Sequence, residues 1–271
     1  VFAATPPHDG TLAKYFIVAA DYCFPVPDHL DMEQAALVEP VSSAVQMVRT
    51  GDVHGNQTVV VFGCGPMGVL CQAICRAWGC KRVIGVDIVQ SRLDFAASFS
   101  GGSPDDVFMP PKTPAGKDGM EWSEHVAQLI KDKFDLGEGP EVVLEVTGAE
   151  PCIQTGIYLV KKGGTFVQAG MGTEVRVPFL VRWRDCWLTD SKQNVNFPIA
   201  VVCVREIRVQ GSIRYVTGCH PTAVDLVASG KLDVKKLITH RYKFEQSEEA
   251  FQKVKAREPG TLKVMIQGVQ D

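Results

Sequence analysis

A doubly wound, parallel α/β sheet is the fold class predicted for this chain of 271 residues. Three features carry that expectation. The run Thr58–Phe62 (TVVVF) has the continuous apolar character of a strand buried on both faces, the habit of parallel sheets. From there, strand-like and helix-like stretches alternate, and a helix between two strands is the usual crossover that lets them run parallel. The first run also ends in a glycine cluster that opens a helix.

The elements follow in order. Residues 1–30 are rich in Pro and aromatics, and their short apolar runs, Leu12–Val18 and Cys23–Val26, predict strands and turns. Asp31 is placed to cap a helix, with Gln34 at capping-box spacing, that runs through Glu33–Ala36 and stops near Pro40. A second helix is expected over Ser42–Thr50, ended by Gly51. After the strand Thr58–Phe62 comes a helix over Pro66–Trp78 closed by Gly79, then a strand over Arg82–Val86 and a helix capped by Ser91 that runs to Phe99. Gly101–Gly119 has loop composition and Trp122–Phe134 has helical periodicity. Glu141–Val146 predicts the third strand, Pro151–Val160 a helix and Thr165–Ala169 the fourth strand. Residues 176–195 carry two tryptophans and mixed charges with no period. Apolar character resumes at Phe197–Val204 and Ile207–Gly211, followed by helices over Pro221–Ser229 and Ser247–Lys255 and a last strand over Thr261–Ile266.

Composition removes several function classes. A formal net charge of −3 leaves no electrostatic footprint for nucleic acid or an acidic membrane. No apolar run approaches the roughly 18 residues of a membrane span. Nine scattered cysteines without a Cys-x-x-Cys pair lead to the expectation of reduced thiols in a cytoplasmic protein. Cys71 and Cys75, four apart on one helix, have the spacing of a metal grip but are expected to be small buried hydrophobes.

The strongest chemical signal is Gly63-Cys64-Gly65-Pro66-Met67-Gly68. A lone G-x-G-x-x-G is weak, and a glycine-rich structural turn is the alternative. Here it follows a buried strand, opens a helix, and is followed by Asp87 at the end of the next strand, 19 residues beyond Gly68. Gly63 permits a tight turn, Gly65 lets backbone approach a pyrophosphate, and Gly68 lets helix and strand pack closely. The helix N-terminus offers free N–H groups and a positive dipole end to the phosphates. Asp87 would accept the adenosine ribose hydroxyls and repel a 2′-phosphate, which favours NAD over NADP. Arg92 could instead welcome a phosphate, but the presence of Asp87 argues against it. The chain therefore predicts a Rossmann-type dinucleotide site.

Gly148, Gly163-Gly164 and the Gly170-Met171-Gly172 turn are expected at the carboxyl ends of successive strands, where such sheets bind ligands, though each alone is an ordinary turn. Glu39 precedes Pro40 in an apolar stretch and needs a hydrogen bond, an ion or solvent. Arg214 and Tyr215 follow a strand into a turn and are either a surface pair or contacts to a polyhydroxylated ligand. The six histidines show no ligand spacing.

Taken together, FAATPPHDGTLAKYF, LVEPVSSAV, VVVFGCGPMG, VDIVQSRLDFA, TGAEPCIQTGI, KKGGTFVQAGMG, GSIRY and the C-terminal LKVMI resemble the zinc-dependent, medium-chain polyol dehydrogenases, the sorbitol and xylitol dehydrogenase family. VDIVQSRLDFA and AVDLVASGKLDVKKLIT look nearest to the xylitol dehydrogenase (D-xylulose reductase) branch found in fungi. The resemblance implies NAD and Zn2+ as cofactors and a small polyol or ketose as substrate. It also implies a homo-oligomer when full length. By position, it makes Met67, Asp87 and Arg92 contacts to the pyrophosphate and adenosine ribose, and sets Ala169, Gly170, Met171, Ser212 and Ile213 around the nicotinamide. Glu39 matches the carboxylate at or near the metal, as fourth ligand or hydrogen-bonded to the metal-bound water. Arg214 and Tyr215 match substrate-hydroxyl contacts, and Phe2 lines the pocket wall.

The same resemblance divides the chain into an NAD-binding domain at 41–213 and a partial, β-rich, GroES-like catalytic domain at 1–40 and 214–271. It sets the family's cysteine, its His-Glu pair and a substrate-contacting tyrosine ahead of Val1. The expectation is therefore an N-terminally truncated fragment that, as written, binds no catalytic zinc and turns over no polyol. This leaves a catalytically inactive NAD-binding fragment as the alternative to the enzyme. Arg176–Val195 is extra relative to the family, either a translated intron or a surface insertion.

Overall fold

The computed structural model describes residues 8–116, 118–171, 194–256, 258 and 260–269. Phe2 and the expected insertion up to Gln193 lie outside the described residues. The chain divides into two compact units.

The larger unit holds residues 26–171 and 194–236. It opens with α1 (Met32–Ala36), where the Asp31 side chain accepts from the Gln34 N–H at 2.9 Å and the Gln34 side chain accepts from the Asp31 N–H, the capping box expected from the spacing. The expected stop at Pro40 is corrected. Helix α2 (Val38–Thr50) starts before it and carries Pro40 in its first turn, where a missing N–H leaves no intrahelical bond unmade. Then follow β1 (Thr58–Phe62), α3 (Pro66–Ala77), β2 (Arg82–Val86) and α4 (Gln90–Ser98). The cap of α4 is Val89 rather than Ser91. Within the expected loop after it lies the two-residue strand β3 (Val107–Phe108), too short to show a period. The order continues with α5 (Gly119–Phe134), β4 (Val142–Glu145), α6 (Glu150–Leu159), β5 (Thr165–Gln168), α7 (Ile199–Val204), β6 (Arg208–Gly211) and α8 (Cys219–Ala228).

Six strands form one sheet in the order β3-β2-β1-β4-β5-β6, every pair parallel. The order reverses direction between β1 and β4, so the connections leaving these two strands diverge and open a crevice at their carboxyl ends. Alternation along the strands puts Val60, Phe62, Ile84, Val86, Val143 and Phe166 on one face, in a core with Val126, Ile130 and Phe134 of α5 and Ile153 and Ile157 of α6. Helix α2 packs against both α3 and α8, and α3 packs on β1 and β2. Cys71 and Cys75 are fully buried in α3, as small hydrophobes.

The smaller unit contains residues 8–25 and the described part of 237–269. Its regular structure is β7 (Ile238–Tyr242), α9 (Ser247–Ala256) and β8 (Lys263–Ile266), the two strands pairing in parallel. The strands expected at Leu12–Val18 and Cys23–Val26 do not form. A 3-10 turn at Ala20–Tyr22 is the only regular element there, and Ile17 is exposed. An apolar run becomes a strand only where an edge is available to pair with it.

Glu141 ties the bottom of the sheet together. Its carboxylate accepts from the Thr58 N–H at 2.8 Å and pairs with Lys161 at 2.7 Å. Burial raises its pKa, but the bonds from Lys161 and Thr58 outweigh burial and hold it below the ordinary value. A depressed folded-state pKa contributes stability that is present above the ordinary value of 4.5 and lost as the pH falls through the folded one. Denaturant titrations of Glu141→Gln across that acid range should therefore show a shallower loss of stability than the parent chain.

Candidate functional site

The crevice is built from four turns. The first leaves β1 at Gly63, whose φ of 101° is a conformation other residues rarely adopt. The Gly63 N–H donates to Val86 O at 2.7 Å, which holds the turn against β2. Helix α3 starts immediately afterwards, with Gly65 as N-cap, no side chain capping it, and Pro66 at its first position. A Cβ on Gly68 would lie 1.7 Å from the Gly63 carbonyl oxygen, so helix and strand approach as closely as backbone allows. A Cβ on Gly65 meets no described atom within 4 Å. The space above the helix N-terminus is open, with the dipole's positive end and unpaired amides facing it. Met67 lies in that first turn.

The second turn follows β2. Asp87 is nearly buried, accepts from the Cys64 N–H at 2.8 Å and the Val89 N–H at 2.9 Å, and has Arg92 at 3.8 Å. One carboxylate thus joins the glycine turn to the start of α4. Behind it, Gln72 donates to the buried Cys64 sulfur at 3.5 Å, and burial pushes the Cys64 thiol up to about 12. That thiol is inert at neutral pH.

The third and fourth turns follow β4 and β5 and meet at Glu145. This carboxylate is fully buried, and sequence reasoning did not single it out. The signal was a charge closing the apolar run VVLEV. It accepts from the Thr147 N–H at 2.8 Å, the Thr147 hydroxyl, the Gly148 N–H at 2.9 Å and Gln168 Nε2 at 2.7 Å. Its own carbonyl receives the N–H groups of Ala169 and Gly170 at 2.9 and 3.0 Å. Beyond it, Met171 and Ile213 are exposed apolar side chains past the carboxyl ends of β5 and β6. The buried Gln168 Oε1 and Ser212 Oγ have no hydrogen-bond partner among the described residues.

A separate group of side chains gathers where α2 meets the residues after β6. Glu39 is exposed on the first turn of α2, while its neighbours Val38 and Pro40 are buried. Solvent satisfies this carboxylate, one of the readings its sequence left open. Arg214 adopts a left-handed φ of 53°, a strain of about 1–3 kcal/mol. Tyr215 packs edge-on against His220, ring centroids 4.4 Å apart. Burial pushes the Tyr215 phenol up, with Glu39 adding to it; burial pulls the His220 imidazole down, and Glu39 opposes that. The structure therefore adds His220, on α8, to Glu39, Arg214 and Tyr215. No sequence spacing pointed to it, because α2–α8 packing brings it there.

Among the described residues no group of three His, Cys, Asp or Glu side chains is placed to hold a metal ion. The donor set does not fit zinc, which takes three protein ligands in a catalytic site, and no step through a metal is derived. No helix among them is long and apolar enough to cross a membrane.

Residues 66–229 match the family described as zinc-binding dehydrogenase. The chain is 40% identical over 270 residues to the probable D-xylulose reductase A of Aspergillus clavatus, covering all of this chain and 66% of that protein. It is 41% identical over 268 residues to the D-xylulose reductase A of Aspergillus oryzae, covering 99% and 66%. It thus spans just under two thirds of the length of these two relatives. The crystal structure of L-idonate 5-dehydrogenase from Escherichia coli shares the fold, with a TM-score of 0.74 at 23% identity over 97% of this chain and 66% of that one.

The two glycines of α3 separate packing from access. Gly68→Ala should cost about 1–3 kcal/mol or more in urea unfolding, because the two atoms nearest the new methyl are backbone. Gly65→Ala, with open space around it, should cost less than about 1 kcal/mol.

Proposed function

This chain belongs to the zinc-binding dehydrogenase family, and on that premise we propose that it carries the cofactor half of an NAD-dependent polyol dehydrogenase. The parent activity is the reversible oxidation of a polyol, with xylitol to D-xylulose as the substrate pair. The relatives named D-xylulose reductase support that pair. The observation that carries the cofactor reading is Asp87, held by two backbone N–H groups at the end of β2 beside the open N-terminus of α3.

In this reading the amides around Gly65, Met67 and Gly68 receive the pyrophosphate, and Gly63 makes the turn that exposes them. Asp87 accepts the adenosine ribose hydroxyls, and Arg92 flanks them. Ala169, Gly170, Met171, Ser212 and Ile213 surround the nicotinamide. When bound, NAD+ supplies the hydride acceptor. Arg214 and Tyr215 orient the polyol, and Glu39 stands at the position the family gives to the metal or to the water it binds. Phe2 is assigned to the pocket wall by resemblance alone. The dinucleotide domain is assigned to 41–213, and 1–40 with 214–271 to the partial catalytic domain. The eight cysteines among the described residues are free thiols, which supports a reducing compartment such as the cytoplasm.

A second reading is a catalytically inactive NAD-binding module, which would hold the nucleotide without turning over a polyol. Calorimetry followed by an absorbance assay separates the two. The chain should bind NAD+ more tightly than NADP+, and Asp87→Ala should lose about tenfold in NAD+ affinity and most of that discrimination. NADH formation from NAD+, zinc and xylitol supports the dehydrogenase, and binding without turnover supports the module. A folded chain with no affinity for NAD+ overturns both.

A further inference from the structure

Glu145 is a buried charge that neither reading uses. Its hydrogen-bond partners among the described residues are all neutral donors: the Thr147 N–H and hydroxyl, the Gly148 N–H and Gln168 Nε2. The Thr147 hydroxyl oxygen accepts from the Ala149 N–H at 3.0 Å, so its proton is directed to the carboxylate. A carboxylic acid would need an acceptor for its proton, and this site offers donors instead, the arrangement that holds an anion. Burial pushes the carboxyl up from its ordinary value, against the downward pull of those bonds. Among the described residues it has no counter-ion; a buried charge so placed is costly, and tying two loops together does not by itself require one.

The position of this charge suggests its use. A Cβ built on Gly170 would lie 2.8 Å from Glu145 Oε2 and 2.0 Å from the Gly148 N–H, so the carboxylate lies directly against the Gly170 backbone. Resting on the reading above, in which Ala169–Met171 flank the nicotinamide, we propose that Glu145 sets the preference for the oxidised cofactor. The oxidised ring carries a positive charge and the reduced ring is neutral, so a fixed negative charge behind Gly170 favours NAD+ over NADH. The effect is a difference between two ligands of nearly the same shape, which a purely structural anchor would not produce.

The test is separate titration of the chain with NAD+ and with NADH at about pH 8, far above the ordinary carboxylate range. Glu145→Gln removes the charge. Gln168→Lys sets an ammonium where Nε2 now lies 2.7 Å from the carboxylate, neutralising it in place. Both should reduce the preference for NAD+ over NADH by about tenfold, the size of one charge acting over about 12 Å through an effective dielectric of about 20. If Glu145→Gln fails to fold by circular dichroism, Gln168→Lys decides. A folded variant in which both affinities change by the same factor, or neither changes, overturns the proposal. So does failure of both variants to fold, which makes Glu145 structural only. A parent chain that binds neither nucleotide defeats the NAD reading itself, and this inference falls with it.

Discussion

The structure depends on how closely α3 approaches the end of β1. The helix must begin directly over the strand it follows, because the sheet order reverses there and its N-terminus is the wall of the crevice. That approach leaves no room for a side chain at position 68, where the nearest neighbour is a backbone oxygen that cannot move aside. Once the helix is seated, the rest of the first turn is constrained. Gly63 must turn with positive φ, and its amide is captured by Val86 of the neighbouring strand. The Cys64 N–H is left pointing at Asp87.

The two buried carboxylates of the crevice show one solution to the same problem. A charge at the carboxyl end of a parallel strand is surrounded by carbonyl oxygens, so it must collect N–H groups from the turns that leave the sheet. Asp87 takes two, from the turn after β1 and from the start of α4. Glu145 takes its donors from the turn after β4 and from the end of β5. Each carboxylate thereby fixes two segments that are distant in sequence. The difference is exposure: Asp87 keeps a little surface and Glu145 none. Asp87 therefore has surface to offer a ligand, while Glu145 has none and could reach one only through its field.

What was legible in the sequence follows from the same physics. The strands around the crevice were readable because burial on both faces leaves continuous apolar runs, and the glycine turn because its chemistry is confined to six successive residues. Pro40 misled because proline stops a helix only beyond its first turn, and the residues alone do not say where the turn begins. The pair Val107–Phe108 is too short for a period, and β7 (ITHRY) mixes polar and apolar positions in a half-exposed sheet. Glu145 was visible as a charge in an apolar strand, by the same reasoning that singled out Glu39. One turned out buried and the other exposed, a distinction set by the chain around them rather than by their own neighbours in sequence.

This contrast separates the two halves of the site. The dinucleotide half is assembled from segments each of which meets the next strand in the sheet, so its hydrogen bonds are the sheet's own connections and form when the sheet forms. The group of Glu39, Arg214, Tyr215 and His220 has no such local origin. It exists because α8 packs on α2 across most of the unit's length in sequence, with Arg49 donating to Thr222 at 2.8 Å to fix the two helices. A strained Arg214 in this second group is tolerated only while that packing holds. Loosening α8 should therefore relax Arg214 and disperse this second group of side chains before it disturbs the glycine turn, whose constraints are all met within the sheet.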